Sequence, residues 1–115
     1  MPLKVGETAP NFNLASTGKN RFNLKDLNEP LVLFFYPKDF TPGCTKEACS
    51  FRDNFEFFKN LDVQVVGINT DTLSTHAKFK EKHNLPFELL SDASGKVCKA
   101  YKAHVPVLNI AKRIT

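Results

Sequence analysis

The chain has 115 residues, the size of one domain, and its 16 Lys and Arg against 12 Asp and Glu leave a net charge of +4. A composition of 42% apolar and 24% charged residues excludes wholesale disorder, and the basic residues are too scattered to form the dense stripe that nucleic acid demands. Three cysteines, an odd number, point to thiol chemistry in a reducing compartment and not to a disulfide scaffold.

Residues 1–10 include Lys4 and Glu7 and carry no apolar stretch of a secretory signal, so a cytoplasmic location is expected. Residues 11–14 and 21–24 alternate polar and apolar around Ser16, Thr17 and Gly18, which predicts an N-terminal β-hairpin. Residues 31–36 form a continuous run, Leu-Val-Leu-Phe-Phe-Tyr, the pattern of a strand buried on both faces at the centre of a sheet. The run is far shorter than the roughly 20 residues of a membrane span. Pro37 ends it, and residues 38–43 read as a loop.

Cys44, Ala48, Phe51, Phe55 and Phe58 then step by four, three, four and three, one apolar stripe over four helical turns. Residues 62–69, with Val63, Val65, Val66 and Ile68, predict a strand. Thr72 or Ser74 can cap a helix that runs to about Asn84 and stops at Leu85-Pro86. Residues 87–90 read as a short strand, 94–102 as a short helix, and the chain from Val105 onward as extended. Strand, helix, strand, helix in this order makes the fold class α/β, with parallel pairing and right-handed crossovers.

The chemistry concentrates in the loop after the apolar run: Pro37, Thr41, Cys44 and then Cys49. Cys44 falls in the first turn of a helix entered from the carboxyl end of a buried strand, where open α/β sheets place their sites. The unpaired N–H groups and positive dipole end there favour a thiolate, a nucleophile. The plainer reading of Cys44 is a small apolar residue that starts the Phe stripe. Cys49 lies among Thr45, Arg52, Asp53 and Glu56, on the polar side, and can also be a half-buried bystander. Five helical residues separate the two Cα atoms by ~8–9 Å, beyond the ~7 Å a disulfide spans, so any pairing requires the first helical turns to unwind.

Other chemistries fit poorly. A zinc site built on Cys44-x4-Cys49 lacks a second compact ligand pair, since His76, His83 and His104 are distant in sequence. His76 and His83 flank Phe79 and read as helix-flank histidines. The spacing is wrong for a C-x-x-C oxidoreductase, and the five glycines are too dispersed for a phosphate loop. No metal or organic cofactor is expected.

Residues 35–53, Phe-Tyr-Pro-Lys-Asp-Phe-Thr-Pro-Gly-Cys-Thr-Lys-Glu-Ala-Cys-Ser-Phe-Arg-Asp, strongly resemble the Q-type peroxiredoxins, the bacterioferritin comigratory group of thiol peroxidases. The likeness extends to residues 6–12, to Gly67-Ile68-Asn69-Thr70-Asp71, and from His76 through Leu85-Pro86-Phe87 to Leu89-Leu90-Ser91-Asp92. It implies a thioredoxin-like fold, here as a single domain over 1–115, and reduction of hydrogen peroxide and organic hydroperoxides. It makes Cys44 the peroxidatic cysteine, oxidised to a sulfenic acid, and Cys49 the resolving cysteine of an atypical two-cysteine enzyme regenerated by thioredoxin or a similar dithiol. Thr41 would orient peroxide and thiolate, Pro37 would shield the sulfur, and Arg113 would stabilise the developing anion. Asn69 stands where the family usually has Ser, a change of no expected consequence, and Cys98 reads as a buried spectator.

Family members continue past Arg113 into further strands and a closing helix, so the resemblance implies a domain whose C-terminal strands and helix are missing. The strand at 31–36 would then expose an edge. The resemblance implies a monomer, and that edge is the expected route to any self-association. A second reading therefore stands beside the enzyme: a catalytically impaired, peroxiredoxin-like chain acting through association or as a holdase. Neither reading calls for a membrane or nucleic-acid partner.

Overall fold

A computed structural model describes residues 4–18, 21–105 and 110–111, with only the backbone of His104, Val105 and Ile110. The N-terminal hairpin forms as β1 (Asn13–Ser16) and β2 (Phe22–Asn23), paired antiparallel. The apolar run gives β3 (Leu31–Phe35), which leads through the site loop into α1 (Pro42–Asp53) and α2 (Phe55–Asn60). Next come β4 (Gln64–Asn69), α3 (Leu73–His83), β5 (Glu88–Ser91) and α4 (Lys96–Ala100). The short strands β6 (His104–Val105) and β7 (Ile110–Ala111) pair with each other.

Five strands make one mixed sheet in the order β2-β1-β5-β4-β3. The β3–β4 and β4–β5 pairs are parallel, as the alternation of strands and helices predicts, while β1 joins β5 antiparallel. Among the described residues β3 is the end strand, not the central one. The apolar run did report burial on both faces. Phe34 and Tyr36 enter a core shared with Cys44, Ala48 and Phe79, and Phe35 enters a second core with Ile68, Leu90 and Cys98. Two-sided burial comes from layers above and below the sheet, and it does not count neighbours within the sheet.

Gly67 shows how tightly the first core closes. A Cβ there would lie 2.7 Å from the Phe34 ring and 2.9 Å from Leu89, so the centre of β4 has no room for a side chain. Phe34 uses that space to stack on Phe51 of α1 at 4.7 Å and to meet Phe87 edge-on at 5.7 Å.

The single stripe predicted over 44–58 is two helices. The chain breaks at Asn54 (φ −106°, ψ 11°), which ends α1 and precedes α2. Phe51, Phe55 and Phe58 nevertheless all pack on the first core, which is why the apolar periodicity runs through the break. The predicted helix from Thr72 holds: the Thr72 hydroxyl accepts from the Thr75 N–H, and Asn84 closes the helix in the left-handed region at φ 51°.

Candidate active site

The site is built where β3 turns into α1. The ladder runs one residue past β3, through the Tyr36 N–H to the Ile68 carbonyl at 3.2 Å. Pro37 then leaves the sheet, half-buried, and Phe40 takes φ 62°, a left-handed conformation that costs a bulky residue roughly 1–3 kcal/mol. The extended Thr41 is the N-cap of α1, and Pro42 occupies the first helical position, where its missing N–H costs nothing. Cys44 is therefore the third helical residue, in the first turn as the spacing predicts.

Cys44 is 1% exposed and packs in the first core with Tyr36, Ala48 and Phe79. The thiol is thus buried in the core at a positive helix end. The Thr41 hydroxyl donates to the Lys38 carbonyl at 3.0 Å and does not cap the helix, while the Thr41 carbonyl accepts the first helical bond from Thr45 at 2.8 Å. Cys49 is half-buried on the next turns of the same helix, and no disulfide joins the three cysteines. Loop and helix thus place Pro37, Thr41, Cys44 and Cys49 within one strand-to-helix junction. Arg113 lies outside the described residues.

The two histidines predicted as helix flanks differ. His83 is half-buried, its ring edge-on to Phe79 at 5.1 Å. His76 is fully buried, with Nδ1 2.6 Å from the Asp39 carboxylate and Nε2 2.9 Å from the Leu90 carbonyl. The other Asp39 oxygen accepts from the Tyr36 hydroxyl at 2.5 Å, and the Asp39 N–H donates to Asp71 at 2.7 Å. Sequence reasoning missed this chain of buried groups. The available signal was the position of His76 three residues before Phe79, which sets both on one face of α3.

Burial foremost, then the charge and hydrogen bond of Asp39, then Asp71 and Cys44, push the Tyr36 phenol well above its ordinary 10.0. Cys98 is buried in the second core, and its N–H donates to Asp92 at 2.8 Å. Burial first, then the hydrogen bond and charge of Asp92, push its thiol far above the ordinary 9.0. Both groups keep their protons in the native state after the unfolded chain has released them. The unfolded chain then binds fewer protons than the native one, so stability falls as pH rises past about 9. The urea midpoint is expected to drop between about pH 8 and about pH 10.5. In Cys98→Ala the fall should begin only in the tyrosine range, and an unchanged onset would contradict this account.

A groove of about 300 Å³ lined by Phe55, Lys59, Val65 and Phe87 lies at the opposite, amino-terminal end of the parallel strands. Open α/β sheets use the carboxyl ends, so the Cys44 junction is the better site. Among the described residues no cluster of His, Cys, Asp or Glu could hold a metal ion, and no helix is long and apolar enough to cross a membrane.

A thiol at a helix start beside a mixed, five-stranded sheet is the arrangement that the resemblance to thioredoxin-like peroxiredoxins implies. The chain belongs to the AhpC/TSA family, whose sequence profile matches residues 5–115. It is 46% identical over 102 residues to peroxiredoxin Bcp of Bacillus subtilis, covering 88% of this chain and 65% of that protein. It is 44% identical over 114 residues to the putative peroxiredoxin bcp of Coxiella burnetii, covering 98% of this chain and 76% of that one. Among solved structures, peroxidoxin BcpB of Mycobacterium tuberculosis superposes with a TM-score of 0.89 at 38% identity, over 96% of this chain and 74% of that one.

Proposed function

We propose that this chain is a thiol peroxidase that reduces hydrogen peroxide and organic hydroperoxides through Cys44. The observation that carries this reading is the buried Cys44 thiol in the first turn of α1. The names of the bacterial relatives support it and favour it over a role in association alone. The Cys44 thiolate attacks the terminal peroxide oxygen. An S–O bond forms and the O–O bond breaks; sulfur loses two electrons, and the departing oxygen takes a proton to leave as alcohol or water. Thr41 orients the peroxide, Pro37 keeps water from the sulfur, and Arg113 stabilises the negative charge that builds on the leaving oxygen.

Cys49 completes the cycle as the resolving residue. Its thiol attacks the sulfenic acid, an S–S bond forms and water leaves. A thioredoxin-type dithiol then reduces the disulfide by two exchanges and is itself oxidised.

Trypsin can test the pairing, because Lys46 lies between the two cysteines. Cleavage after Lys38, Lys46 and Arg52 puts Cys44 in peptide 39–46 and Cys49 in peptide 47–52. After one equivalent of peroxide the intact chain should lose about 2 Da, and the two peptides should be recovered joined. Added thioredoxin should separate them. Oxidation that leaves them unlinked, or links peptide 39–46 to the peptide of Cys98, would overturn the assignment of Cys49.

A further inference from the structure

The peroxidase scheme leaves one set of buried titratable groups without a task. Tyr36, Asp39 and His76 are 0%, 4% and 0% exposed, and they form a continuous hydrogen-bonded chain ending at the Leu90 carbonyl of β5. Donor and acceptor counting fixes much of its proton inventory. A carbonyl only accepts, so His76 Nε2 carries a hydrogen. Tyr36 donates to one Asp39 oxygen, and one further proton lies between Nδ1 and the other oxygen. Wherever that proton rests, the Asp39–His76 pair is neutral as a whole.

The surroundings give this neutrality a purpose. The β3–α1 loop contributes Tyr36 and Asp39, the turn after β4 contributes Asp71, α1 contributes Cys44, and α3 contributes His76. From β5 the Leu90 carbonyl meets His76, and the Ser91 hydroxyl donates to the Asp71 carbonyl. Tyr36 and Cys44 share the first core, the Tyr36 hydroxyl is bonded to Asp39, and the Asp39 N–H to Asp71, so the thiol lies in the same part of the core as this pair of carboxylates. A like charge nearby disfavours ionisation of a thiol. In this set His76 is the group able to offset it. The same chain also braces the loop: Asp39 is bonded through both side-chain oxygens and its N–H, directly before the left-handed Phe40 and the N-cap Thr41.

We propose that His76 is a positioning residue for Cys44, which keeps Asp39 charge-balanced beside the thiolate and fixes the 36–41 loop that starts α1. This rests on Cys44 being the peroxidatic cysteine, and the test separates the two ideas. The parent protein carries Cys49→Ser and Cys98→Ala, so oxidation stops at the Cys44 sulfenic acid and appears as a gain of about 16 Da in rapidly quenched samples. In His76→Asn the amide nitrogen falls near the Nδ1 position and can still donate to Asp39, but it brings no charge and cannot reach Leu90. At neutral pH its Cys44 oxidation is expected to be about tenfold slower than the parent's. Adding Asp39→Asn removes the uncompensated carboxylate and should recover about threefold or more of that loss, without restoring the melting temperature.

A purely structural role predicts no recovery, so a double variant no faster than His76→Asn overturns the proposal. So does a His76→Asn rate within about twofold of the parent. If His76→Asn does not fold, Tyr36→Phe, which removes only the hydroxyl bonded to Asp39, takes its place. It should slow oxidation by about threefold in a chain that still folds, and an unaltered rate overturns the proposal. An inert parent removes the peroxidase reading and this inference with it. A reactive parent indifferent to residues 36, 39 and 76 removes this inference alone.

Discussion

Cys44→Ser is expected to lose peroxide reduction down to the uncatalysed rate, a drop of about 10⁴-fold or more. The argument is chemical. A serine hydroxyl stays protonated at neutral pH, and its oxygen has no accessible higher oxidation state to accept the peroxide oxygen. The helix end that favours a thiolate cannot make an alkoxide of it. The fold should survive, because serine is close to cysteine in size, and its hydroxyl in a site 1% exposed costs about 1–3 kcal/mol when unpaired. Far-ultraviolet dichroism should therefore match the unaltered chain while thioredoxin-coupled peroxide consumption vanishes. Cys98→Ala serves as the control: its thiol is buried and held protonated beside Asp92, so its removal should leave the rate unchanged. Activity surviving in Cys44→Ser would move the chemistry elsewhere.

The elements of this fold were legible because each has an apolar period of its own. Residues 31–36 read as a strand with two buried faces, and the structure buries Phe34 and Phe35 in opposite cores. The place of β3 at the end of the sheet was not legible, since a side-chain pattern records what lies above and below a strand and not what pairs beside it. The break at Asn54 was hidden for a related reason: Phe51, Phe55 and Phe58 serve one core from two helices, so the stripe continues where the backbone does not. At the site, the cysteines and Thr41 could be placed because their meaning is local, set by a strand end and a helix start. The role of His76 is not local. Its partners Asp39 and Leu90 lie 37 and 14 residues away and meet it only when α3 folds across the sheet. A histidine on a lysine-rich helix carries no mark of that in one dimension, apart from its place on the Phe79 face.

The second large effect concerns the oxidised state. Forming the Cys44–Cys49 disulfide is expected to unwind α1 over residues 43–50 while α3 stays folded. Within α1 the two Cα atoms are ~8–9 Å apart and their side chains diverge by roughly 140°, whereas a disulfide needs Cα atoms within ~7 Å and converging Cβ vectors. The helix must therefore yield, and the structure indicates where. Its C-terminal part is anchored: Phe51 stacks on Phe34 at 4.7 Å, and the Arg52 guanidinium donates to the His83 carbonyl at 2.8 Å. Its N-terminal turns are held by the burial of Cys44 and Ala48, two small residues with little apolar surface to lose. Unwinding from the N-terminal end is thus the cheaper deformation, and the disulfide, once closed, prevents the turns from re-forming. Hydrogen exchange should show residues 45–50 protected in the reduced chain and exchanging almost as a free peptide in the oxidised one, with residues 73–83 unchanged. A linked pair of cysteines with full protection across 45–50 would refute the unwinding. Loss of protection spreading to α3 would show instead that the anchors at Phe51 and Arg52 do not hold.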